Sequence, residues 1–290
     1  MIMTESKHGH LSLIEIMTPQ PTGQALVFEG LPNPYGAMGI YGGHFLGQAL
    51  AAGLATVEEP KIAQSFHAYF LRGGDPNEPI EYKVSVLRDG RGSSARTIAA
   101  RQHGADVFHM IASFKSPEMG HQHQPVAPVV DSAEEVIDRR RSRGEDPFPF
   151  PPTQNRWTEM EWITPSFREP IPDREGALQV WMRVPGGEGL NSRERQVVLA
   201  FLSDGPLMFN SVVPYGIAME THWATSLDQS VWFHDLADPS EWMLFDQRST
   251  AAADGRGLNE GEIYTKSGSL LMSCAQESML RTIPANKRQP

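Results

Sequence analysis

Asp204 is a candidate for acid–base chemistry; it follows a predicted helix and precedes Gly205 and Pro206. A carboxylate can accept a proton from a water molecule or hold that water in place. The helix dipole disfavours a carboxylate at a helix C-terminus, so this placement slightly favours a functional role. From the residues alone a hydrated surface aspartate is the more common explanation, because most carboxylates in proteins are solvated.

Gln276 lies in a predicted strand whose alternate residues Leu270, Met272 and Cys274 are apolar. Since side chains alternate between the two faces of a strand, Gln276 is expected to face the core with them. A buried glutamine costs about 1 to 3 kcal/mol unless its amide is hydrogen-bonded. A structural partner and a substrate would satisfy it equally well. Cys274 is interpreted as a small core residue, because no obvious histidine and aspartate accompany it.

Gly42, Gly43 and His44 stand where another helix is predicted to begin. Free N–H groups at a helix N-terminus stabilise negative charge, and glycine allows close approach to the backbone. The glycines are therefore candidate oxyanion donors, or they only form the turn into the helix. His44 is interpreted first as a partly buried core histidine, with a substrate contact or a catalytic base as alternatives.

Other motifs are weaker. The His-x-His pairs at His8/His10 and His121/His123 could bind zinc with a carboxylate, but they lie in the N-terminal tail and a proline-rich linker, so no metal site is predicted. The sequence contains no Gly-x-Ser-x-Gly elbow, Walker loop or Gly-x-Gly-x-x-Gly fingerprint. The missing elbow leaves a serine hydrolase of the α/β type without support.

The elements that would position these residues occur twice. The string Asp89-Gly-Arg-Gly92 recurs as Asp254-Gly-Arg-Gly257, and each copy precedes two strand-like runs joined by a glycine-containing turn. Each hairpin is preceded, in order, by a short strand, a helix and an aromatic-rich strand. The predicted ranges are 25–29, 43–57 and 65–71 in the first half, and 177–184, 191–204 (with Asn191 and Glu194 as a capping box) and 226–233 in the second.

A helix that is apolar nearly all round must be wrapped by other elements, and a curved antiparallel sheet would do this. We therefore predict an α+β fold of two tandem hot-dog units, each with a curved antiparallel sheet around a central helix. The predicted domains are residues 1–116 and 159–290. Residues 117–158 form a proline-rich linker with one short helix, capped by Asp131 with Glu134. The arginine-rich run in this linker is interpreted as a solvated face.

The sequence resembles the type II acyl-CoA thioesterases. The resemblance extends over about residues 25 to 283 and is carried by the following blocks: Tyr41-Gly-Gly-His-Phe-Leu-Gly-Gln-Ala-Leu50, Ser65-Phe-His-Ala-Tyr-Phe-Leu-Arg-Gly-Gly-Asp75, Leu87-Arg-Asp-Gly90, Leu202-Ser-Asp204, Ser226-Leu-Asp-Gln-Ser-Val-Trp-Phe-His234 and Ala275-Gln-Glu277. It implies a double hot-dog fold and hydrolysis of fatty acyl-CoA to a free fatty acid and coenzyme A.

The resemblance also implies that Asp204, Ser226 and Gln276 surround a catalytic water, with Gly43 and His44 at the substrate. The family usually has glutamine at the position of His44. Such hydrolysis needs an oriented water, a proton acceptor and donors for the oxyanion, and it needs no cofactor. A hot-dog hydratase and a non-catalytic acyl-CoA binding or sensing protein are the alternatives. The family also implies a homo-oligomer, a dimer or a tetramer.

Composition limits the partners. The 290 residues carry a formal net charge of −10, which disfavours duplex nucleic acid as the main partner because phosphate binding needs a basic face. Arg88, Arg91 and Arg96 are local candidates for the phosphates of coenzyme A, because guanidinium binds phosphate in a bidentate way, and solvated residues at a sheet edge are the equal alternative. The single cysteine excludes an intrachain disulfide, and neither a secretory signal nor a membrane span is predicted. A cytoplasmic protein is expected.

Overall fold

The computed structural model describes residues 11–32, 39–145, 157–164, 178–215 and 222–283. Ala177, His8, His10 and part of the predicted linker lie outside the described residues. The helices are α1 (Leu13–Met17), α2 (Gly42–Leu54), α3 (Ala133–Ser142) and α4 (Ser192–Ser203), followed by a 3-10 helix (Leu207–Tyr215). The strands are β1 (Gln20–Pro21), β2 (Val27–Gly30), β3 (Ile62–Phe70), β4 (Ile80–Asp89), β5 (Ser93–Gln102), β6 (Ala105–Lys115), β7 (Glu159–Trp162), β8 (Leu178–Arg183), β9 (His222–Ser226), β10 (Asp228–Phe233), β11 (Met243–Ala253), β12 (Arg256–Thr265) and β13 (Leu270–Thr282).

The strand order confirms the internal repeat. The first half forms the order β2-β4-β5-β6-β3, and the second forms β8-β11-β12-β13-β10. The halves join where β3 pairs with β10, with His67 opposite Ser230. Along the whole sheet the second half therefore repeats the first in reverse, as a pseudo-twofold axis at the β3–β10 seam requires. Both predicted hairpins are present, as β5–β6 and β12–β13.

The two long helices form the centre of the molecule. The side chains of α2 are buried on nearly every side, and the helix contacts β3, β4, β5 and β6. Helix α4 begins at the predicted capping box, since Asn191 accepts hydrogen bonds from the N–H groups of Arg193 and Glu194. The helices α2 and α4 pack against each other. The predicted helix enclosed by a sheet is thus confirmed in the first half. In the second half the 3-10 helix that follows α4 contacts β11, β12 and β13, and α4 shares one hydrophobic core with strand residues such as Val180, Met243 and Met272.

One predicted strand is in fact two. The chain of 226–233 breaks at Leu227, whose carbonyl accepts from the Phe70 N–H and whose own N–H donates to the Glu277 carbonyl. As a result, β9 pairs with the C-terminal end of β13, while β10 pairs with β3 and the middle of β13. The break matters for the site because Ser226 is the last residue of β9.

The linker helix begins one residue later than predicted. The cap of α3 is Ser132, which forms a capping box with Glu135, rather than Asp131 with Glu134. Asp131 instead forms an ion pair with Arg139. Both patterns satisfy the same spacing, so the sequence alone does not distinguish their registers. In the arginine-rich run, the side chain of Arg140 is mostly buried and donates two hydrogen bonds to the Glu161 carboxylate in a bidentate ion pair.

Among the described residues, the segment Ser192–Tyr215 is long and apolar enough to cross a membrane by length and composition alone, and most of it is buried inside the protein. One further expectation, on Arg96, needs correction. Arg96 is almost fully buried and binds Asp89 and the carbonyl oxygens of Thr56, Arg88 and Ala95. It therefore ties α2 to the sheet and is not free to bind a phosphate.

Candidate active site

Asp204 lies where the ends of the two central helices meet. It is the C-cap of α4, and its carboxylate Oδ2 accepts a 3.0 Å hydrogen bond from the Gly43 N–H in the first turn of α2. The unfavourable dipole at the end of α4 is therefore opposed by the favourable dipole at the start of α2. This contact joins residues 161 positions apart, so each half of the chain contributes one side of the site.

The other carboxylate oxygen binds the remaining two predicted residues. Gln276 Nε2 donates to Asp204 Oδ1 at 2.7 Å, and Ser226 Oγ donates to the same oxygen at 3.2 Å. The structure thus brings Asp204, Ser226 and Gln276 together. Oδ1 accepts two hydrogen bonds from described residues and Oδ2 accepts one, which leaves an acceptor position on Oδ2.

Burial controls the electrostatics of this carboxylate. Asp204 is 6% exposed. Desolvation raises its pKa from 3.8 to about 6, against the opposing effects of the hydrogen bonds from Gly43, Ser226 and Gln276. A carboxylate with this pKa is mostly ionised at neutral pH and is a better proton acceptor than an ordinary aspartate.

Glycine is required beside the carboxylate. A Cβ atom on Gly42 would lie 2.6 Å from Asp204 Oδ2, and one on Gly43 would overlap the Phe201 carbonyl oxygen. Tyr41 packs edge-on against the Phe201 ring and donates its hydroxyl hydrogen to that same carbonyl. The Gly42-Gly43 pair therefore lets α2 approach the end of α4 closely enough for Asp204 to reach the helix N-terminus.

Gln276 faces the interior, as its alternation with apolar residues predicted, and is fully buried. Its Nε2 also donates to Gln229 Oε1 at 2.7 Å, and Gln229 Nε2 donates to Ser203 Oγ at 2.7 Å. Neither Gln229 nor Ser203 was predicted as a site residue. The strand pattern could have indicated Gln229, because residues two positions apart lie on the same face of a strand and Gln229 therefore faces the core together with the apolar Val231.

His44 lies on α2 but is directed away from the carboxylate. It is almost fully buried, and its Nε2 hydrogen-bonds to the Leu31 carbonyl oxygen at 3.0 Å. Gln48 donates to the same oxygen, and Tyr82 donates to Gln48. Burial lowers the pKa of His44 to about 4, so the imidazole is neutral at physiological pH. These contacts are those of a core histidine, the first interpretation above.

The described residues contain no group of three or more His, Cys, Asp or Glu side chains that could hold a metal ion. Cys274 is buried with its thiol directed to the Gly261 carbonyl, and burial raises its pKa well above the usual range. A thiol of this kind is a poor nucleophile, because the reactive form is the thiolate.

The fold and this site define the class: a double hot-dog protein with a buried carboxylate that, among the described residues, accepts hydrogen bonds from Gly43, Ser226 and Gln276. Two family models match the chain, the acyl-CoA thioesterase N-terminal domain over residues 31–115 and the acyl-CoA thioesterase C-terminal domain over residues 126–280. The chain therefore belongs to the type II acyl-CoA thioesterase family and is a thioester hydrolase.

Individual relatives agree with this assignment. Acyl-CoA thioesterase 2 of Haemophilus influenzae is 31% identical over 88% of this chain and 92% of its own length. Acyl-coenzyme A thioesterase 8 of Homo sapiens is 33% identical over 93% of this chain and 88% of its own length. Among solved structures, an acyl-CoA thioesterase II, TesB2, from Mycobacterium marinum superposes with a TM-score of 0.78 at 28% identity, covering 94% of this chain and 98% of that one.

Proposed function

We propose that this protein hydrolyses fatty acyl-CoA to a free fatty acid and coenzyme A, using a water molecule that Asp204 deprotonates. The observation that supports this reaction is the buried carboxylate, held between the start of α2 and the side chains of Ser226 and Gln276. Its pKa of about 6 suits a proton acceptor at neutral pH.

The reaction balances with water as the only co-reactant. The water oxygen attacks the thioester carbonyl carbon while one water proton passes to Asp204, and the carbonyl π electrons move to the oxygen. Collapse of this tetrahedral intermediate breaks the carbon–sulfur bond. The leaving thiolate then takes the proton back from Asp204, so that the carboxylate is restored.

The three polar side chains have separate roles in this proposal. Asp204 accepts the proton, Gln276 holds the carboxylate, and Ser226, which is only half-buried, keeps oxygen lone pairs to bind the water. Within the described residues the Gly42 N–H makes no hydrogen bond, so it is the candidate oxyanion donor at the start of α2. Gly43 acts through its N–H on Asp204. A substrate contact by His44 stays a prediction.

The alternatives are less well supported. A hot-dog hydratase is expected to pair an aspartate with a histidine, and the hydrogen bonds that Asp204 accepts come from Gly43, Ser226 and Gln276. A non-catalytic sensor would keep the acyl-binding interior without activating water. Placing an ionised aspartate in such an interior carries a desolvation cost that a sensor does not need.

The test is release of free thiol from acyl-CoA esters of increasing chain length. We expect the wild type to turn over, and Asp204→Asn to lose most of its turnover while binding a substrate analogue almost as tightly, since the shape is kept and the charge is lost. Asp246→Asn is the matched control, because Asp246 is also partly buried, also accepts from a glutamine (Gln179) and has a raised pKa. Tight binding without release by the wild type would favour the sensor. Equal loss of turnover and binding in Asp204→Asn would contradict its role.

We further propose that the protein is cytoplasmic and forms a homo-oligomer. The single cysteine and its buried free thiol are consistent with a reducing compartment.

The outer face of the sheet at the β3–β10 seam carries Tyr69, Ile111 and Trp232, each about half exposed, and the strand register places all three on that face. An apolar face of this kind suits a second copy of the chain. Light scattering should show a smaller species for Trp232→Lys, but not for Val129→Lys in the exposed linker.

A further inference from the structure

We propose that Gln229 is a positioning residue for the reaction. In this proposal, a chain of hydrogen bonds anchored on main-chain carbonyl groups fixes the Gln276 amide with its Nε2 toward Asp204. This series of hydrogen bonds thereby leaves Oδ2 of Asp204 as the oxygen that takes the proton. The inference rests on the proposed function above and concerns residues that only support the reacting groups.

The first anchor is at the end of α4. Ser203 Oγ donates its single hydrogen to the Ala200 carbonyl oxygen at 2.8 Å. A carbonyl can only accept, so the Ser203 hydroxyl must act as an acceptor toward Gln229. Gln229 Nε2 accordingly donates to Ser203 at 2.7 Å, and its Oε1 faces Gln276 Nε2 at 2.7 Å. The donor direction is thus set from the backbone of α4 up to Gln276.

The second anchor is on the sheet. The two hydrogens of Asn259 Nδ2 are shared among three acceptors within hydrogen-bond distance: the carbonyl oxygens of Gly257 and Gln276, and Ser278 Oγ at 3.2 Å. Because Ser278 accepts there, its own hydrogen is free to go to Gln276 Oε1, 3.2 Å away. Gln276 therefore receives a hydrogen bond on its oxygen and gives both Nε2 hydrogens away, one to Gln229 and one to Asp204.

Burial makes this arrangement exclusive. Ser203, Gln229, Gln276, Ser278 and Asn259 are all 0% exposed, so water does not replace a lost partner. If the Gln276 amide were reversed, its oxygen would face both the Asp204 carboxylate and the Gln229 oxygen, which is repulsive on two sides. With the observed orientation, Oδ1 of Asp204 is saturated by Gln276 and Ser226, and only Oδ2, beside α2, can accept from water.

A purely structural role for Gln229 is the competing explanation. The protein contains a second buried glutamine, Gln196, that serves as a control for the structural effect alone. Gln196 is also buried and makes two hydrogen bonds, both to the backbone of Ala63, at 2.7 and 2.8 Å. Neither bond is connected to Asp204. Gln196→Met therefore removes a buried amide with the same number of hydrogen bonds, and it leaves the chain to Asp204 intact.

The first readout requires no substrate. The pKa of Asp204 is measured by 13C NMR of the labelled carboxyl group, assigned as the signal missing in Asp204→Asn. Gln229→Met frees Gln276 to turn away from the carboxylate, so we expect the pKa of Asp204 to rise by roughly one pKa unit. Gln196→Met should leave it unchanged. Ser203→Ala, a milder change, should shift it in the same direction and serves if Gln229→Met does not fold.

The second readout is kinetic. Gln229→Met should lower kcat by roughly 10- to 100-fold, leave KM nearly unchanged and move the acidic limb of the pH profile upward. Relative to Gln229→Met, Gln229→Glu should recover activity at the acidic end of the range in which Asp204 is ionised, because a protonated carboxyl group offers one acceptor and one donor, matching the two hydrogen bonds that the Gln229 amide makes. This variant should lose activity again at higher pH, where the introduced carboxyl group ionises and can no longer donate to Ser203.

Unchanged pKa and kcat in both Gln229→Met and Ser203→Ala would overturn the proposal, as would equal changes in Gln196→Met. These outcomes are distinct from failure of the proposed function. If the wild type released no thiol from any ester, the hydrolase reaction would be contradicted, while the carboxyl titration would still decide whether Gln229 and Ser203 fix the state of Asp204.

Discussion

His44 and Asp204 should make opposite contributions to stability over nearly the same pH range. Burial lowers the pKa of His44 from 6.5 to about 4, and it raises the pKa of Asp204 from 3.8 to about 6. At about 1.36 kcal/mol per pKa unit, each displacement corresponds to roughly 3 kcal/mol in the free energy of unfolding.

The sign of each contribution to stability depends on whether the folded or the unfolded state binds the proton more tightly. The unfolded state protonates His44 more readily, so stability from this residue is present above pH 6.5 and is lost as pH falls toward 4. The folded state protonates Asp204 more readily, so stability from that residue is present below pH 3.8 and is lost as pH rises through 6. In the wild type the two effects nearly cancel, and single substitutions should reveal them.

The assay is urea unfolding followed by tryptophan fluorescence at pH values from 4 to 7.5, comparing each variant with the wild type. As pH is lowered from 7 to 4, the free energy of unfolding of His44→Gln should rise by about 3 kcal/mol relative to that of the wild type. The free energy of unfolding of Asp204→Asn should fall by about 3 kcal/mol relative to the wild type over the same range. Other titrating groups contribute to all three proteins and cancel in the differences. A flat difference for His44→Gln would show that His44 is solvated or charged when folded, and a flat difference for Asp204→Asn would refute its burial as an ionisable group.

Three further results are expected. The kcat/KM for thioester hydrolysis should fall tenfold per pH unit below the Asp204 pKa of about 6, and a profile flat down to pH 5 would exclude Asp204 as the base. Gly42→Ala should reduce kcat strongly, because the new methyl group would lie 2.6 Å from Asp204 Oδ2, whereas Gly92→Ala, with open space at its Cβ, should have no effect on turnover. Cys274 should react with a thiol reagent only after unfolding and not in the native protein, since it is buried with a raised pKa; rapid labelling of the native protein would contradict this.

Much of the fold was predictable because it depends on local patterns. The repeated Asp-Gly-Arg-Gly turns, the capping box at Asn191 and the apolar helices are each encoded within a few residues, and the structure contains them all. The break at Leu227 was not predictable in this way, because it depends on hydrogen bonds to Phe70 and Glu277, which are distant in sequence.

The candidate active site also depends on contacts between residues distant in sequence, which local patterns do not encode. Strand periodicity placed Gln276 on the inner face but did not indicate its partner, since Asp204 lies 72 residues away. Without the family resemblance, Asp204 was more readily explained as a solvated carboxylate. Arg96 was interpreted as a phosphate-binding candidate because guanidinium binds phosphate in a bidentate way, whereas its position in the fold surrounds it with backbone carbonyl groups.

The pairing of β3 with β10 within a single polypeptide also has an evolutionary consequence. In a symmetric dimer of two identical single hot-dog chains, every substitution would occur in both interiors. Fusion of the two copies allows each interior to diverge, and here β5 and β6 face α2 with Ile98, Met110 and Ala112, whereas β13 carries Gln276. The N-terminal copy supplies the Gly43 N–H and the C-terminal copy supplies the carboxylate. The site described above is therefore asymmetric and is built from parts that neither half holds alone.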